Sequence, residues 1–543
     1  MKVLVLGGVA AGTKVAAKLK REDRSCEVTV LTKGRDISYA GCGLPYYVGD
    51  VIHERSELIV NTPEKFSRLT GAQVLTETEA VALRPEERQV EARDLKTGET
   101  RLYGYDKLVI ATGASPFVPQ VPGLDLKNVF VMRTPEDAIA LREAVESGEV
   151  KRAVVAGGGF IGLEVAENLA ARGVKTSVID FAPHVLPGFL DPELSEYVEN
   201  KMADAGIMPL TNVSLEGAEG SGKVEKVLTS RRAMKADALV LAIGIRPNTA
   251  FLEGTGIEMV KGTILTDQHM RTNLPDIYAA GDCAMVRNRQ TGKPAWSPMG
   301  STANISGRIL AENLAGKEIS YPGVLGTGVA KLPGGINVGR TGLTETAAKA
   351  EGHDVVSVLT VLDDKAHYYP GSGLFIVKLT ADRATRKLLG LQVLGPGAVD
   401  KMTDIAVTAI SLGATVDQLT ALDFAYAPPF STAIHPFAAS VNVLINKLDG
   451  AMDSITPAEY AQGAAEDYEV VDCAQAPALE GKRYLDLAAI SGQVEGLEQN
   501  GKLLLVCTKG RRAYLAQNRL KFYGYTNTKV LEGGASFTEI EEE

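Results

Sequence analysis

The hydrophobic positions along this chain come in short continuous runs, each ending in glycine. Residues 3–6 are apolar, residues 7–12 form a glycine turn, residues 13–20 carry apolar side chains at helical spacing, and residues 27–31 are again apolar and β-branched. The same order returns at 153–156, 157–162, 163–172 and 176–179. A continuous apolar run, a glycine turn and an amphipathic helix together describe a βαβ unit whose strand is buried on both faces. Two such units about 150 residues apart predict two Rossmann-type domains. Residues 107–113 and 238–244 are further apolar strands closing on small-residue turns, and 275–282 is a strand ending in an acid. Past about residue 322 strands and helices alternate without glycine fingerprints. Residues 451–463 are polar and read as a linker with a short helix, and from Val470 onward a small α/β unit runs to the acidic tail Glu541, Glu542 and Glu543.

Composition narrows the function classes. The 543 residues carry 57 basic and 67 acidic side chains, a net charge of −10, which argues against nucleic acid or an anionic membrane as the main partner. No apolar run reaches the ~18 residues of a membrane span. The opening Met1-Lys2-Val3-Leu4-Val5-Leu6 has the look of a signal peptide, but the run is short and flows into Gly7 and Gly8, so a buried strand feeding a glycine turn explains it better. The five cysteines (Cys26, Cys42, Cys283, Cys473 and Cys507) are odd in number and contain no CxxC. That disfavours a disulfide framework or a zinc site and points to a reducing cytoplasm, with no metal expected.

Gly157, Gly159 and Gly162 match GxGxxG after a strand, and Asp180 ends the next strand. Gly157 permits the tight turn, Gly159 lets a pyrophosphate approach, Gly162 lets helix and strand pack, and the helix N-terminus faces the phosphate charge. Asp180 is suited to accept from a ribose diol and to repel a 2′-phosphate, and neither Phe181 nor Ala182 offers an arginine, so NADH is preferred over NADPH. The first copy is less regular: Val9 replaces the middle glycine, and Thr32 stands where an acid is expected. Cys42 lies between Gly41 and Gly43 near a helix start, where exposed amides favour thiolate.

The stretch from Ser38 through Cys42-Gly43-Leu44-Pro45-Tyr46-Tyr47, with Ala111-Thr112-Gly113, the run Gly157–Gly162 through Glu164, and Gly281-Asp282, resembles in order the single-cysteine flavin disulfide reductases. The likeness is to the coenzyme A-disulfide reductase and NADH-dependent persulfide reductase branch, and it covers residues 1 to about 447. The resemblance implies an α/β fold: a discontinuous FAD-binding domain (1–115 and 245–322), an NAD-binding domain (116–244), an α+β dimerisation domain (323–447), a linker (448–463) and a shortened rhodanese-like domain (464–543). It implies FAD at Gly7, Gly8, Ala10, Ala11, Gly12, Thr32, Lys33, Val81, Ala111, Thr112, Gly113, Gly281 and Asp282. NADH would bind at Gly157, Gly159, Phe160, Ile161, Gly162, Glu164, Asp180 and Gly244. Electrons would pass from NADH through flavin to Cys42. Tyr47 stands where dithiol relatives carry a second cysteine, so Cys42 would cycle as a mixed disulfide, persulfide or sulfenate. Ala10 occupies the place of the histidine of NADH peroxidases, which favours a sulfur substrate. Ser38 and Arg21 match the branch's coenzyme A contacts, with Lys18 close by, whereas Gly41 replaces its asparagine.

The resemblance also implies a homodimer in which Tyr426 and one of Tyr368 or Tyr369 reach the partner's cysteine as proton donors. His435 before Pro436 resembles the acid–base histidine of the dithiol reductases. Cys507-Thr508-Lys509-Gly510-Arg511-Arg512 resembles the rhodanese loop CxxGxR, in which successive amides converge on the sulfur, with Gly510, Arg511 and Arg512 gripping substrate. Cys26, Cys283 and Cys473 read as structural, the last inside an apolar strand. The expected activity is NADH-dependent reduction of persulfides, polysulfide or coenzyme A disulfide, with Cys507 handling sulfane sulfur. The alternatives are an NADH oxidase cycling through a Cys42 sulfenate, and a redox sensor or sulfur carrier that docks a partner protein.

Overall fold

The computed structural model describes residues 1–540; the acidic tail Glu541, Glu542 and Glu543 lies outside the described residues. The chain forms two compact units, Met1–Pro183 with Gly206–Leu325, and His184–Ala205 with Gly326–Glu543.

The first unit is built on two parallel five-stranded sheets. One runs Ile277–Ala279, Lys107–Ile110, Lys2–Leu6, Glu27–Leu31 and Gln73–Leu75, with Leu6 opposite both Leu31 and Ile110. Its strands are mostly apolar because both faces are covered: Val3, Val5, Val30 and Val109 join one core, while Leu4, Leu6, Leu31 and Ile110 join another. The second sheet runs Met208–Leu210, Lys175–Ile179, Arg152–Ala156, Ala238–Leu241 and Val129–Val131, so the repeated pattern in the sequence does form the same unit twice. Among the described residues no helix is long and apolar enough to cross a membrane.

The second unit begins with an antiparallel sheet ordered Gly328–Leu332, Ile336–Gly342, Leu388–Gly395, Leu374–Asp382 and Val355–Asp363. Lys378 is buried in it, 2 % exposed, and its ammonium lies 3.0 Å from Asp191, 2.8 Å from Glu345, and against Glu193. Burial alone would lower its pKa, but the three carboxylates overcome that and raise it. This acidic trio has the spacing of a metal site, and a lysine ammonium sits among it.

A parallel sheet follows, ordered Ser454–Ile455, Thr528–Leu531, Leu503–Val506, Glu469–Asp472 and Arg483–Tyr484. The polar stretch read as a linker holds the expected short helix, Pro457–Ala461, started by a Thr456–Glu459 capping box. It also supplies the edge strand Ser454–Ile455, which two residues of apolar pattern were too short to announce. Glu532, 3 % exposed, fastens this C-terminal module to the antiparallel sheet. Its carboxylate accepts from Leu359 N–H at 2.7 Å, Lys447 Nζ at 2.7 Å and Ser454 Oγ at 2.6 Å.

Candidate active site

The two glycine turns are built alike. Gly7 has φ +115° and a Cβ there would lie 2.0 Å from Ala111 O; Gly157 has φ +114° and a Cβ would lie 2.2 Å from Ala242 O. Each turn therefore crosses the end of its neighbouring strand so closely that only glycine fits. Gly12 and Gly162 bring their helices, Ala10–Glu22 and Phe160–Ala171, down onto these turns, since a Cβ on either would meet the turn's carbonyl within 1.9 Å. Gly159 differs: nothing lies within 4 Å of its Cβ position, and it caps the Phe160–Ala171 helix without a side-chain bond. That open face above a helix N-terminus suits a pyrophosphate. Gly244, at φ +113°, is likewise open and follows the adjacent strand of the same sheet.

Asp180 is buried, and its carboxylate accepts from Gly158 N–H at 2.6 Å and Ala182 N–H at 2.8 Å. It thus fixes the glycine turn as well as standing where a ribose is expected. Around the first turn, Thr32 is buried with its amide bonded to Leu75 O at 3.0 Å. Lys33 pairs with Glu79 at 2.8 Å, and Val81 sits at a β-bulge between Ala80 and Ala82. Thr112 Oγ1 donates to Asn248 O at 2.8 Å. Asp282, after Gly281, holds Arg133 at 3.0 Å.

Cys42 is exposed, in the single turn Gly41–Gly43 that leads into the short helix Leu44–Val48. The sequence predicted a thiolate here; the structure pushes the thiol up instead, by partial desolvation first and then by the carboxylates of Glu164 and Asp282, with Arg133 opposing. Glu164 comes from the nucleotide helix, where it was expected to serve NADH, yet it also faces the cysteine segment: Tyr46 Oη donates to its Oε1 at 3.2 Å. Burial raises Glu164 to about 7, the Tyr46 bond opposing and Glu167 adding to the rise. A carboxyl that titrates near neutrality beside an exposed thiol can hold or release a proton there. Arg142 clamps the segment after Cys42, donating to Tyr47 O at 3.2 Å and to Ile52 O at 3.1 Å, with its guanidinium over the Tyr47 ring.

Sequence reasoning missed Arg133, Arg142 and the Tyr46–Glu164 contact. The only local signal was the helix start Thr134-Pro135-Glu136-Asp137, which fixes where Arg133 emerges but not what it meets.

Of the proposed coenzyme A contacts, Ser38 donates its amide to Gly8 O at 2.9 Å and has φ +49°, and Arg21 is exposed. Lys18 is committed elsewhere: its ammonium pairs with Glu312 at 2.9 Å and with Glu22, two carboxylates that already neutralise it.

In the second unit Tyr368, Tyr369 and Tyr426 are all exposed, and Tyr368 first, with some desolvation, pushes the Tyr426 hydroxyl up. His435 departs from the expected acid–base role. It is 4 % exposed, stacks on Phe424, and its Nδ1 accepts from Phe437 N–H at 3.2 Å to cap the Pro436–Leu448 helix. Burial, with Lys401 adding, lowers it to about 4, so at neutral pH the ring is uncharged.

Cys507 is buried, not presented on an open loop. Rather than a convergence of amides, the Ala513 N–H approaches its Sγ at 3.4 Å, while Gly510 takes φ +85° and Gly534 passes against Cys507 O. Arg511 is exposed, and Arg512 Nε donates to Cys473 O at 3.1 Å. Cys473 lies one residue beyond its strand, not inside it, and beside Cys507.

The profile of the pyridine nucleotide-disulphide oxidoreductases matches residues 1–300, and that of their dimerisation domain matches residues 334–438. The chain belongs to this family. Its members use FAD and NAD(P)H, and the open face at Gly159 and the paired glycine turns fit two such nucleotides. The chain is 36 % identical over 444 residues to the NAD(P)H coenzyme A polysulfide/persulfide reductase of Pyrococcus horikoshii, covering 82 % of this chain and 98 % of that one. It is 33 % identical over 448 residues to an NADH oxidase of Methanocaldococcus jannaschii, covering 82 % and 99 %. The structure of an NAD-dependent persulfide reductase from A. fulgidus is similar at TM-score 0.93 and 34 % identity, over 99 % of this chain and 100 % of that one. The last similarity extends through the C-terminal module, which the family profiles do not reach.

Proposed function

We propose that this oxidoreductase passes electrons from NADH through FAD to Cys42 and so reduces persulfides, polysulfide or coenzyme A disulfide to thiol and sulfide. The observation that carries this reading is the exposed Cys42 with no second cysteine beside it, near Glu164 of the glycine-turn helix, which Tyr46 of the cysteine's own segment holds. A lone thiol cannot store electrons as an internal disulfide, so it must form the mixed species with its substrate. Bound FAD supplies the two-electron link between NADH and sulfur. The chain's own residues hold the rest: Glu164 titrates near neutrality beside the sulfur, and Tyr46 keeps that carboxyl oriented. In a homodimer the Tyr368–Tyr426 pair would donate to the leaving thiolate. The C-terminal module, rhodanese-like in its CxxGxR loop, would take up sulfane sulfur on Cys507. For a persulfide the balance is RSSH plus NADH plus a proton giving RSH, H₂S and NAD⁺.

Anaerobic NADH consumption with polysulfide, coenzyme A persulfide and coenzyme A disulfide tests the reading, for wild type, Cys42→Ser and Cys507→Ala. Cys42→Ser should lose all three activities, and full activity in that variant with any of them would overturn it. The likeness to an NADH oxidase keeps a second reading in view, with oxygen as acceptor and a Cys42 sulfenate. NADH oxidation in air that exceeds the anaerobic rate with every sulfur acceptor would favour it.

A further inference from the structure

The strands Glu469–Asp472 and Leu503–Val506 pair in parallel, Val471 opposite Leu505 and Asp472 opposite Val506, and Cys473 N–H donates to Val506 O at 2.6 Å. The next residue of each strand is a cysteine: Cys473 on one, Cys507 on the other. In-register neighbours on parallel strands point to the same face. The cores agree: Val471, Cys473, Leu505 and Cys507 share one, while Val470, Leu504 and Val506 belong to the other. Paired strands run about 4.8 Å apart, within the Cα separation of about 4.4–6.8 Å that a disulfide spans. Both thiols are almost wholly buried, 0 % and 3 % exposed, so only small reagents reach them.

We propose that Cys473 and Cys507 form a redox couple, in which Cys473 resolves a sulfur adduct on Cys507 by closing a disulfide between the two. The Cys507 thiolate first attacks a small disulfide RSSR; the S–S bond breaks, RS⁻ leaves and takes a proton, and Cys507 carries –S–SR. Cys473 then loses its proton and attacks the Cys507 sulfur, and a second RSH departs. The balance is RSSR plus two cysteine thiols giving one intramodule disulfide and two RSH; with a persulfide on Cys507 the group released is H₂S. A dithiol reductant returns the two electrons. Burial first, and then the charge of Cys507, push the Cys473 thiol up to about 12. A charge on Cys507 opposes the ionisation of Cys473, and that opposition is gone once Cys507 carries an adduct. Loading from a sulfur substrate rests on the proposed role of Cys507; the couple itself does not.

The test uses the FAD-loaded full chain, oxidised with diamide, alkylated, digested and analysed by mass spectrometry with and without dithiothreitol. A peptide pair joining Cys473 to Cys507, split by dithiothreitol and lost in Cys473→Ser, is expected. Oxidised Cys507 with Cys473 alkylated in wild type overturns the proposal, whatever the variant's folding. A polysulfide arm separates it from the proposed function. If Cys507 takes up no sulfur from polysulfide but still joins Cys473 under diamide, the sulfur-receiving reading fails and the couple stands.

Discussion

Lys509 Nζ lies 2.9 Å from Asp363 Oδ1, and this pair joins the Cys507 loop to the strand that leads into the Tyr368 segment. Both side chains are about one-third exposed, so the pair contributes at most about 1 kcal/mol. The buried Glu532 holds the same junction far more firmly. Lys509→Met should leave unfolding free energy within about 1 kcal/mol of wild type. Glu532→Ala, which strands the Lys447 ammonium and the Leu359 amide, should lose about 3 kcal/mol. Denaturant unfolding of the two variants side by side checks the order; equal losses would count against it.

The Lys378 cage makes a pH-dependent prediction. Burial pushes Asp191 and Glu345 up, but the Lys378 charge and several hydrogen bonds more than reverse it, leaving Asp191 well below the usual carboxylate range and Glu345 at about 2. Depressed carboxylates stabilise above their unfolded values, and that stability is lost as pH falls from about 4.5 toward about 2. Lys378→Met would leave three acids facing one another. It should be destabilised by about 3–5 kcal/mol at neutral pH, and the deficit should shrink as the pH is lowered to about 4.5, where the crowded acids take up protons. A deficit that does not change with pH would show that the charges are not its origin.

Glu164 should govern the reactivity of Cys42. Above about 7 its carboxylate is charged and holds the Cys42 thiol up. Glu164→Gln removes that charge, so the pH midpoint for alkylation of Cys42 by iodoacetamide should fall. An unchanged midpoint would mean that the carboxylate does not act on the sulfur.

If Tyr368 and Tyr426 serve as one donor, each Tyr→Phe change should lower kcat on a disulfide acceptor about a hundredfold, the usual scale for a positioned acid. The double variant should then be no slower than the slower single one, because breaking either hydroxyl already breaks the pair. Multiplicative losses would show two independent roles.

Asp180→Ala should raise KM for NADH about tenfold, roughly the effect of one charged hydrogen bond of about 1.5 kcal/mol, and should narrow the preference over NADPH. Initial rates with both nucleotides measure it, and an unaltered ratio would confine Asp180 to holding the turn.

The strands and glycine turns of both nucleotide units were legible because each is encoded within about thirty consecutive residues by apolar runs and spacing. What meets across long separations was not. Nothing near Arg133 names Asp282, and nothing near Lys378 names Asp191, Glu193 and Glu345, since such pairs depend on which strand ends the fold brings together. The upward push on the Cys42 thiol was hidden for a related reason: glycine-flanked amides are visible in the sequence, but the burial that dominates and the Glu164 carboxylate that adds to it come from elsewhere in the fold. His435 carried the right residue type for acid–base work, and only burial and its bond to Phe437 reveal a helix cap. Cys473 was expected inside an apolar strand, but its having Cys507 for a neighbour comes from the register that sets Asp472 opposite Val506, which no local pattern announces.

Glu532 and Lys509 grip the C-terminal module at two places, one beside its edge strand and one in its cysteine loop. A body clamped at two points makes a poor swinging arm. The module and the antiparallel sheet then move as one body, so a motion of either is a motion of both.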